Sequence, residues 1–179
     1  LPGGPRMRIR PMTRADAAAV AALVGQLGYP TTPERMAGRF DLLAGDTAHA
    51  LFVAEVAGEP ATGEPLAGES VAGEPLAGWV HVHGVLLLEA DPRAEIWGLV
   101  VDAAHRGRGI GRALMDRAEA WARERGYTEI RLHSNVVRAA AHRFYQDLGY
   151  RITKSSYVFE KSLAAPSVTP STAEGSQPV

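Results

Sequence analysis

Apolar positions along this chain switch between a period of two and a period near 3.6, and the switches mark its elements. Met7 to Pro11 (MRIRP) reads as a short first strand. Ala17, Val20, Leu23, Val24 and Leu27 then share one helical face, predicting a helix from Arg14 to Leu27 that opens on Thr13 with Asp16 and stops at Gly28-Tyr29-Pro30. Thr32-Pro33-Glu34 is a second start signal, with a capping hydroxyl, a proline in the first turn and an acid beside the helix dipole; that helix runs to about Leu43. Ala48 to Val56 (AHALFVAEV) and Gly78 to Val85 (GWVHVHGV) read as two strands of a hairpin, and Glu129 to Ser134 (EIRLHS) as a later strand. A helix from Arg138 to Leu148 closes on Gly149, and Arg151 to Ser156 and Tyr157 to Leu163 supply two last strands.

Between the hairpin strands, Gly58, Gly63, Gly68, Gly73 and Gly78 recur at a five-residue interval, each of the first four followed by Glu and then Pro or Ser. Reduced to one unit the text is VAGEPLAGWV, a compact hairpin, so tandem duplication has expanded the turn. A Gly/Pro/Glu segment cannot bury enough apolar area to offset its ordering entropy, and residues 58–77 are expected to be disordered, with a partner-binding flap as the other reading.

The centre of the chain is Glu95 to Leu114, EIWGLVVDAAHRGRGIGRAL. An apolar strand (Ile96, Trp97, Leu99, Val100, Val101) passes through a short link into a glycine-rich turn. A helix with Leu114, Ala118 and Trp121 on one face follows. Strand, glycine turn and helix start together make an anion site. The first helical N–H groups lack intrahelical partners, and glycines let a phosphate reach them. The Walker form is excluded, because Gly111 is followed by Arg112-Ala113 where Lys and a Mg²⁺-binding hydroxyl are needed. The dinucleotide form is excluded by the spacing Gly107, Gly109, Gly111. What fits is R-x-x-G-x-G, as Arg106, Gly109 and Gly111.

A second segment, Asn135 to Tyr150 (NVVRAAAHRFYQDLGY), places an Asn at a strand end and a Phe-Tyr pair on a helix before a Leu-Gly-aromatic turn. With both segments in this order, residues 7–163 resemble the GNAT superfamily of N-acetyltransferases, apart from the expanded hairpin. The family often has a second Asn where this chain has Arg138, which puts contacts to the CoA arm in doubt there. The resemblance implies an α/β fold: a mixed, mostly antiparallel sheet of about six to seven strands flanked by about four helices. It implies acetyl-CoA as cosubstrate, with the amides from Arg106 through Gly107, Arg108, Gly109, Ile110 and Gly111 on the pyrophosphate. Arg106, Arg108 and Arg112 would add positive charge, and the backbone of Leu99, Val100 and Val101 would pair with the pantetheine arm and polarise the thioester carbonyl.

Acetyl transfer to an amine needs a neutral nucleophile, although a free alkylamine is protonated at neutral pH, and a proton for the departing thiolate. By resemblance Tyr145 is the acid beside the sulfur, its alternative being a core residue with Phe144 and Leu148. Asn135 would orient the pantetheine or a water. Glu95 matches the position of a catalytic Glu in histone-acetyltransferase-like members; the alternative is a solvated strand-entry residue. Tyr29, in the loop that lies over the acceptor pocket in this family, is either a wall residue or packed on its own loop. Trp79, His81 and His83 alternate with Val80 and Val82, so both imidazoles share a face. They could line the acceptor pocket or substitute as base. No carboxylate or third His follows at ligand spacing, which argues against a metal.

Composition adds limits. A chain of 179 residues suits one domain, and a net charge of −1 offers no field for nucleic acid or anionic membrane. The absence of cysteine excludes a Cys acyl-enzyme. Apolar runs fall short of a membrane span, and Leu1 to Arg6 is no signal peptide, so the cytoplasm is expected, with residues 1–6 a flexible remnant and 164–179 a disordered tail. The function expected is acetyl-CoA-dependent N-acetylation of a small primary amine by direct attack in a ternary complex. Protein N-acetylation and a non-catalytic acyl-CoA-binding module are the alternatives. The resemblance allows a homodimer, but no dimer face is identifiable.

Overall fold

The structure is a computed structural model and describes residues 7–56 and 75–163. Five strands form one sheet in the order β1 (Met7–Pro11), β2 (His49–Val56), β3 (Leu76–Val85), β4 (Arg93–Val101), β5 (Ile130–Leu132). The first three pairings are antiparallel and the last is parallel. The helices are α1 (Ala17–Gly25), α2 (Pro33–Leu43), α3 (Ile110–Glu124) and α4 (Ala139–Asp147), with short 3-10 turns at Arg14–Asp16 and Ala103–His105.

Alternation along the strands builds two cores. Phe52, Ala54, Val80, Val82 and Ile96 point to the face covered by α3, where they meet Leu114, Met115, Ala118 and Trp121. Phe144 and Tyr145 of α4 pack against the same cluster. On the opposite face Val53 and Val100 meet Val20, Leu23 and Val24 of α1, with Met36 and Phe40 of α2 at the margin. Each of these fully buried aliphatic side chains contributes about 1.5–3 kcal/mol of burial, so the two clusters fix which residues face which helix.

The predicted starts have a visible physical cause. Asp16 accepts from the Thr13 amide at 2.7 Å and from its hydroxyl at 2.9 Å, and Thr32 Oγ1 accepts from the Arg35 amide at 3.3 Å. Arg10 ties β1 to the rest by bonding both Asp16 and the β2 carboxylate Glu55, two of the buried acids. The guanidinium keeps Asp16 below the usual carboxylate range against the opposing effect of burial.

Three expectations need correction. The sheet has five strands among the described residues, because 151–163 form no strand. Ile152, Tyr157, Val158 and Phe159 are exposed there, and β-propensity without a ladder partner makes no strand. The expected loop 58–77 is too long at its end: Leu76 and Ala77 are buried in β3, where Leu76 pairs with Glu55. The helix predicted from Arg14 is a 3-10 turn followed by α1, which ends at Gly25. Expectations for residues 1–6, 164–179 and the repeat from 57 to 74 lie outside the described residues. No helix among the described residues is long and apolar enough to cross a membrane.

Candidate active site

The site begins with a fault in β4. Val82 pairs with Ile96 but His81 pairs with Gly98, so Trp97 is an extra residue, a β-bulge. On its other side β4 pairs with β5 only at Ala94, Glu95 and Ile96. Beyond the bulge the edge of Leu99, Val100 and Val101 has no strand partner on that side among the described residues. A row of backbone donors and acceptors on that edge is left without a strand to pair with, ready for an extended ligand. Arg106 Nε donates to the Val101 carbonyl at 3.3 Å and closes the lower end of that row.

Val101 leads through Asp102, whose carboxylate accepts from the Ala104 amide at 2.7 Å, into the glycine turn. Gly107 and Gly109 have φ of +75° and +79°, a conformation that costs an L-residue roughly 1–2 kcal/mol. Gly109 is the N-cap of α3 and brings no capping side chain, so the first amides of α3 (Ile110, Gly111, Arg112) are open to an anion. Gly111 packs closely for another reason: a Cβ there would lie 3.1 Å from the Phe144 ring, which would have to give by a few tenths of an ångström. Arg106 and Arg108 are exposed beside this turn. Arg112 leans away, its Nη2 3.5 Å from the Asp147 carbonyl, and ties α3 to the end of α4. The turn and the open edge together could hold a pyrophosphate with an extended arm.

Asn135 shapes the entry to α4. Its Oδ1 accepts from the Val137 amide at 3.1 Å, and its carbonyl lies 3.0 Å from His142 Nε2. Tyr145 packs its ring against Phe144 and Tyr150, at centroid distances of 5.2 and 6.1 Å. Burial pushes its phenol pKa up, with Arg138 pulling weakly the other way, so the hydroxyl is protonated at neutral pH.

The other face of the sheet at the bulge carries the histidines. His81 and His83 do share a face, and β2 adds a third that sequence reading missed: His49 lies directly across from His83. His49 Nδ1 and His81 Nε2 are 2.9 Å apart, and the His49 and His83 rings stack at 5.1 Å with planes 9° apart. Trp97, 69% exposed, meets His83 edge-on at 4.9 Å. Burial pulls the His81 pKa down to about 4, helped by the neighbouring imidazoles, and pulls His83 down less, with Glu95 opposing. The facing nitrogens of His49 and His81 are committed to each other, and no group of three or more metal-ligand side chains able to hold an ion occurs among the described residues.

Glu95 is buried at 7% exposure, not solvated, and sits opposite His83. Its Oε1 accepts from Arg93 Nε at 2.9 Å and meets Nη2 at 2.8 Å. Trp79 also belongs to this face: its indole lies over Gly98, where a Cβ would come within 2.4 Å of the ring. Tyr29 is 67% exposed, and Gln26, three residues before it, accepts from the Ala103 amide at 3.1 Å. The contacts thus join β4, α3 and α4 at Val101, Gly111 and Phe144, and His49, His81, His83, Glu95 and Trp97 around the bulge. His49 was hidden because register across an expanded turn cannot be counted from sequence. Arg93 was findable, two residues before Glu95 on the same strand face.

Comparison with known proteins gives a matching family model, the acetyltransferase (GNAT) family, over residues 24–150. Among curated relatives, an uncharacterized N-acetyltransferase of Bacillus subtilis is 44% identical over 64 residues, 35% of this chain and 44% of that protein. Human N-acetyltransferase 8B is 36% identical over 67 residues, 37% of this chain and 30% of that protein. The chain therefore spans less than half the length of either. Among solved structures, an aminoglycoside N-acetyltransferase in complex with CoA superposes with a TM-score of 0.73 at 18% identity, over 91% of this chain and 99% of that one. That likeness is one of fold.

Proposed function

From a chain that belongs to the acetyltransferase (GNAT) family, we infer an acetyl-CoA-dependent N-acetyltransferase that acts on a small primary amine. One observation carries it: the Trp97 bulge frees the Leu99–Val101 edge of the strand that leads into the glycine-capped amides of α3. Acetyl-CoA supplies the activated acetyl thioester. The amides of Gly109 to Arg112, with Arg106 and Arg108, would hold its pyrophosphate, and the β4 edge would pair with its arm.

Residues on the two sides of the bulge divide the proton chemistry. Tyr145 donates to the leaving sulfur; its buried, neutral phenol suits that role. On the histidine face, His83, whose ring meets the exposed Trp97, would take the ammonium proton; its Nε2 is buried without a hydrogen-bond partner. Glu95, held by Arg93, acts as the anion that opposes the downward shift of His83 rather than as a free base. Asn135 holds the turn that aims α4. Trp97 offers the acceptor an exposed aromatic face, and the structural neighbour acts on an aminoglycoside by its own description, a small-molecule amine.

Thiol release from acetyl-CoA across small amines and peptides tests this. Release with a subset of small amines is expected. Release with peptides alone would assign a protein N-acetyltransferase, and tight acetyl-CoA binding without release a non-catalytic module.

A further inference from the structure

Of the 19 basic residues in this sequence only Lys154 and Lys161 are lysines. They are its only side chains with a primary amine, the group an N-acetyltransferase acylates. Arginine offers no substitute, because its guanidinium stays protonated at any working pH.

Both lysines fall in the segment after α4. Residues 151–163 form no strand, and each of them is exposed. The start of that segment is held firmly. The Tyr150 amide donates to the Tyr145 carbonyl at 3.0 Å, and its hydroxyl donates to Glu119 Oε1 at 3.0 Å. Its ring meets the Tyr145 ring at a centroid distance of 6.1 Å. The exposed segment therefore leaves the core beside the phenol assigned to protonate the leaving sulfur.

Length then separates the two amines. The four residues from Tyr150 to Lys154 span at most roughly 14 Å when extended, and a four-carbon stem carries Nζ beyond them. An amine on so short a tether is held at an effective concentration on the order of millimolar. Lys161 lies farther along the chain and is diluted by its longer tether. The neighbours differ as well. Thr153, Ser155 and Ser156 around Lys154 are small and uncharged, whereas Lys161 follows Glu160, a carboxylate that would be desolvated with it.

We propose that the enzyme acetylates its own Lys154 in cis, so that the segment after α4 carries a modification site served by the Tyr145 centre. The proposal rests on the acetyl-transfer reading. In balance, the bond from Nζ to the acetyl carbonyl carbon forms as the thioester C–S bond breaks. Of the two protons the ammonium gives up, one ends on the sulfur through Tyr145 and the other in water. Lysine loses its positive charge, CoA leaves as the free thiol, and no further reactant is needed.

The test needs the full chain and acetyl-CoA with no added amine, read by intact mass and by peptide mapping. Expected is one acetyl group per chain, on Lys154, at a rate per molecule that does not change on dilution. Lys154→Arg keeps the charge but offers no amine, and is expected to stay unmodified. Tyr145→Phe is expected to slow the step about tenfold, as it slows transfer to a free amine. A chain without acetyl on Lys154 would overturn the proposal. So would acetylation equally fast in Tyr145→Phe or in the urea-unfolded chain, because a thioester also acylates exposed lysines unaided. A rate that falls in proportion to protein concentration, or Lys161 modified as fast as Lys154, would overturn it too. Thiol release with a small amine beside an unmodified Lys154 would remove this proposal alone. No release with any amine or peptide would remove the acetyl-transfer reading and this proposal with it.

Discussion

At the scale of single residues, environment separates groups that the sequence left in competition. Tyr145 and Glu95 were both open to an inert role. Burial gives Tyr145 the protonation state an acid needs. Glu95 is engaged by Arg93, and His83 beside it holds the unpartnered nitrogen. Tyr145→Phe should therefore lower kcat about tenfold or more while acetyl-CoA binding is retained; wild-type turnover would remove the phenol from the chemistry. His83→Gln should lower kcat more than Glu95→Gln does, and steady-state rates that reverse the order would return the base to Glu95. His81 also predicts a pH dependence of stability. Its folded pKa, about 4, lies below the ordinary histidine value, so the unfolded chain binds more protons in between. Stability is full above pH about 6.5 and falls as pH drops toward 4. His81→Gln should flatten that slope in melting temperature, while an unchanged slope would place the proton uptake elsewhere.

Elements were readable to the extent that their signals are local. Thr32 with Pro33 announced α2, and the glycine turn announced α3, because a capping oxygen and a positive φ act on the next few backbone groups alone. The two final strands were misread for the complementary reason. Segment 151–163 has strand composition, but a strand is a pairing, and β5 offers only Ile130–Leu132. The bulge is a tertiary event as well: nothing in EIWGLVV marks Trp97 as the residue without a β3 partner. Beside it the Trp79 indole packs on Gly98, where a Cβ would come within 2.4 Å of the ring. Gly98→Ala should cost about 1–3 kcal/mol in denaturant unfolding, because the new Cβ must displace that ring. An unaltered midpoint would show that the indole gives way freely.

For the whole molecule, one sheet carries cofactor-binding geometry on one side of a fault and histidines on the other. The hairpin β2–β3 that supplies the histidines closes at Glu55 and Leu76, and the repeated pentapeptides lie between these strands. Excising residues 59–73 would join Gly58 to Glu74 and leave Ala-Gly-Glu-Pro as the turn, a length hairpins favour. Each halving of the loop removes about 0.6 kcal/mol of closure entropy, so the shortened chain should melt at the same or a slightly higher temperature with turnover retained. A large fall in either would assign the repeat a structural or substrate-binding role.

Residue order alone dictated the family, the glycine turn at Arg106–Gly111, the start of α2 and the Phe144-Tyr145 pair, since each rests on neighbours within a few positions. The folded arrangement decided the rest. It brought His49 onto His83, placed Arg93 on Glu95, inserted Trp97 as an extra residue and left 151–163 unpaired. The physical reason is register. Which side chains meet across a sheet depends on pairing between segments separated by long loops, and a shift of one residue turns every side chain to the other face.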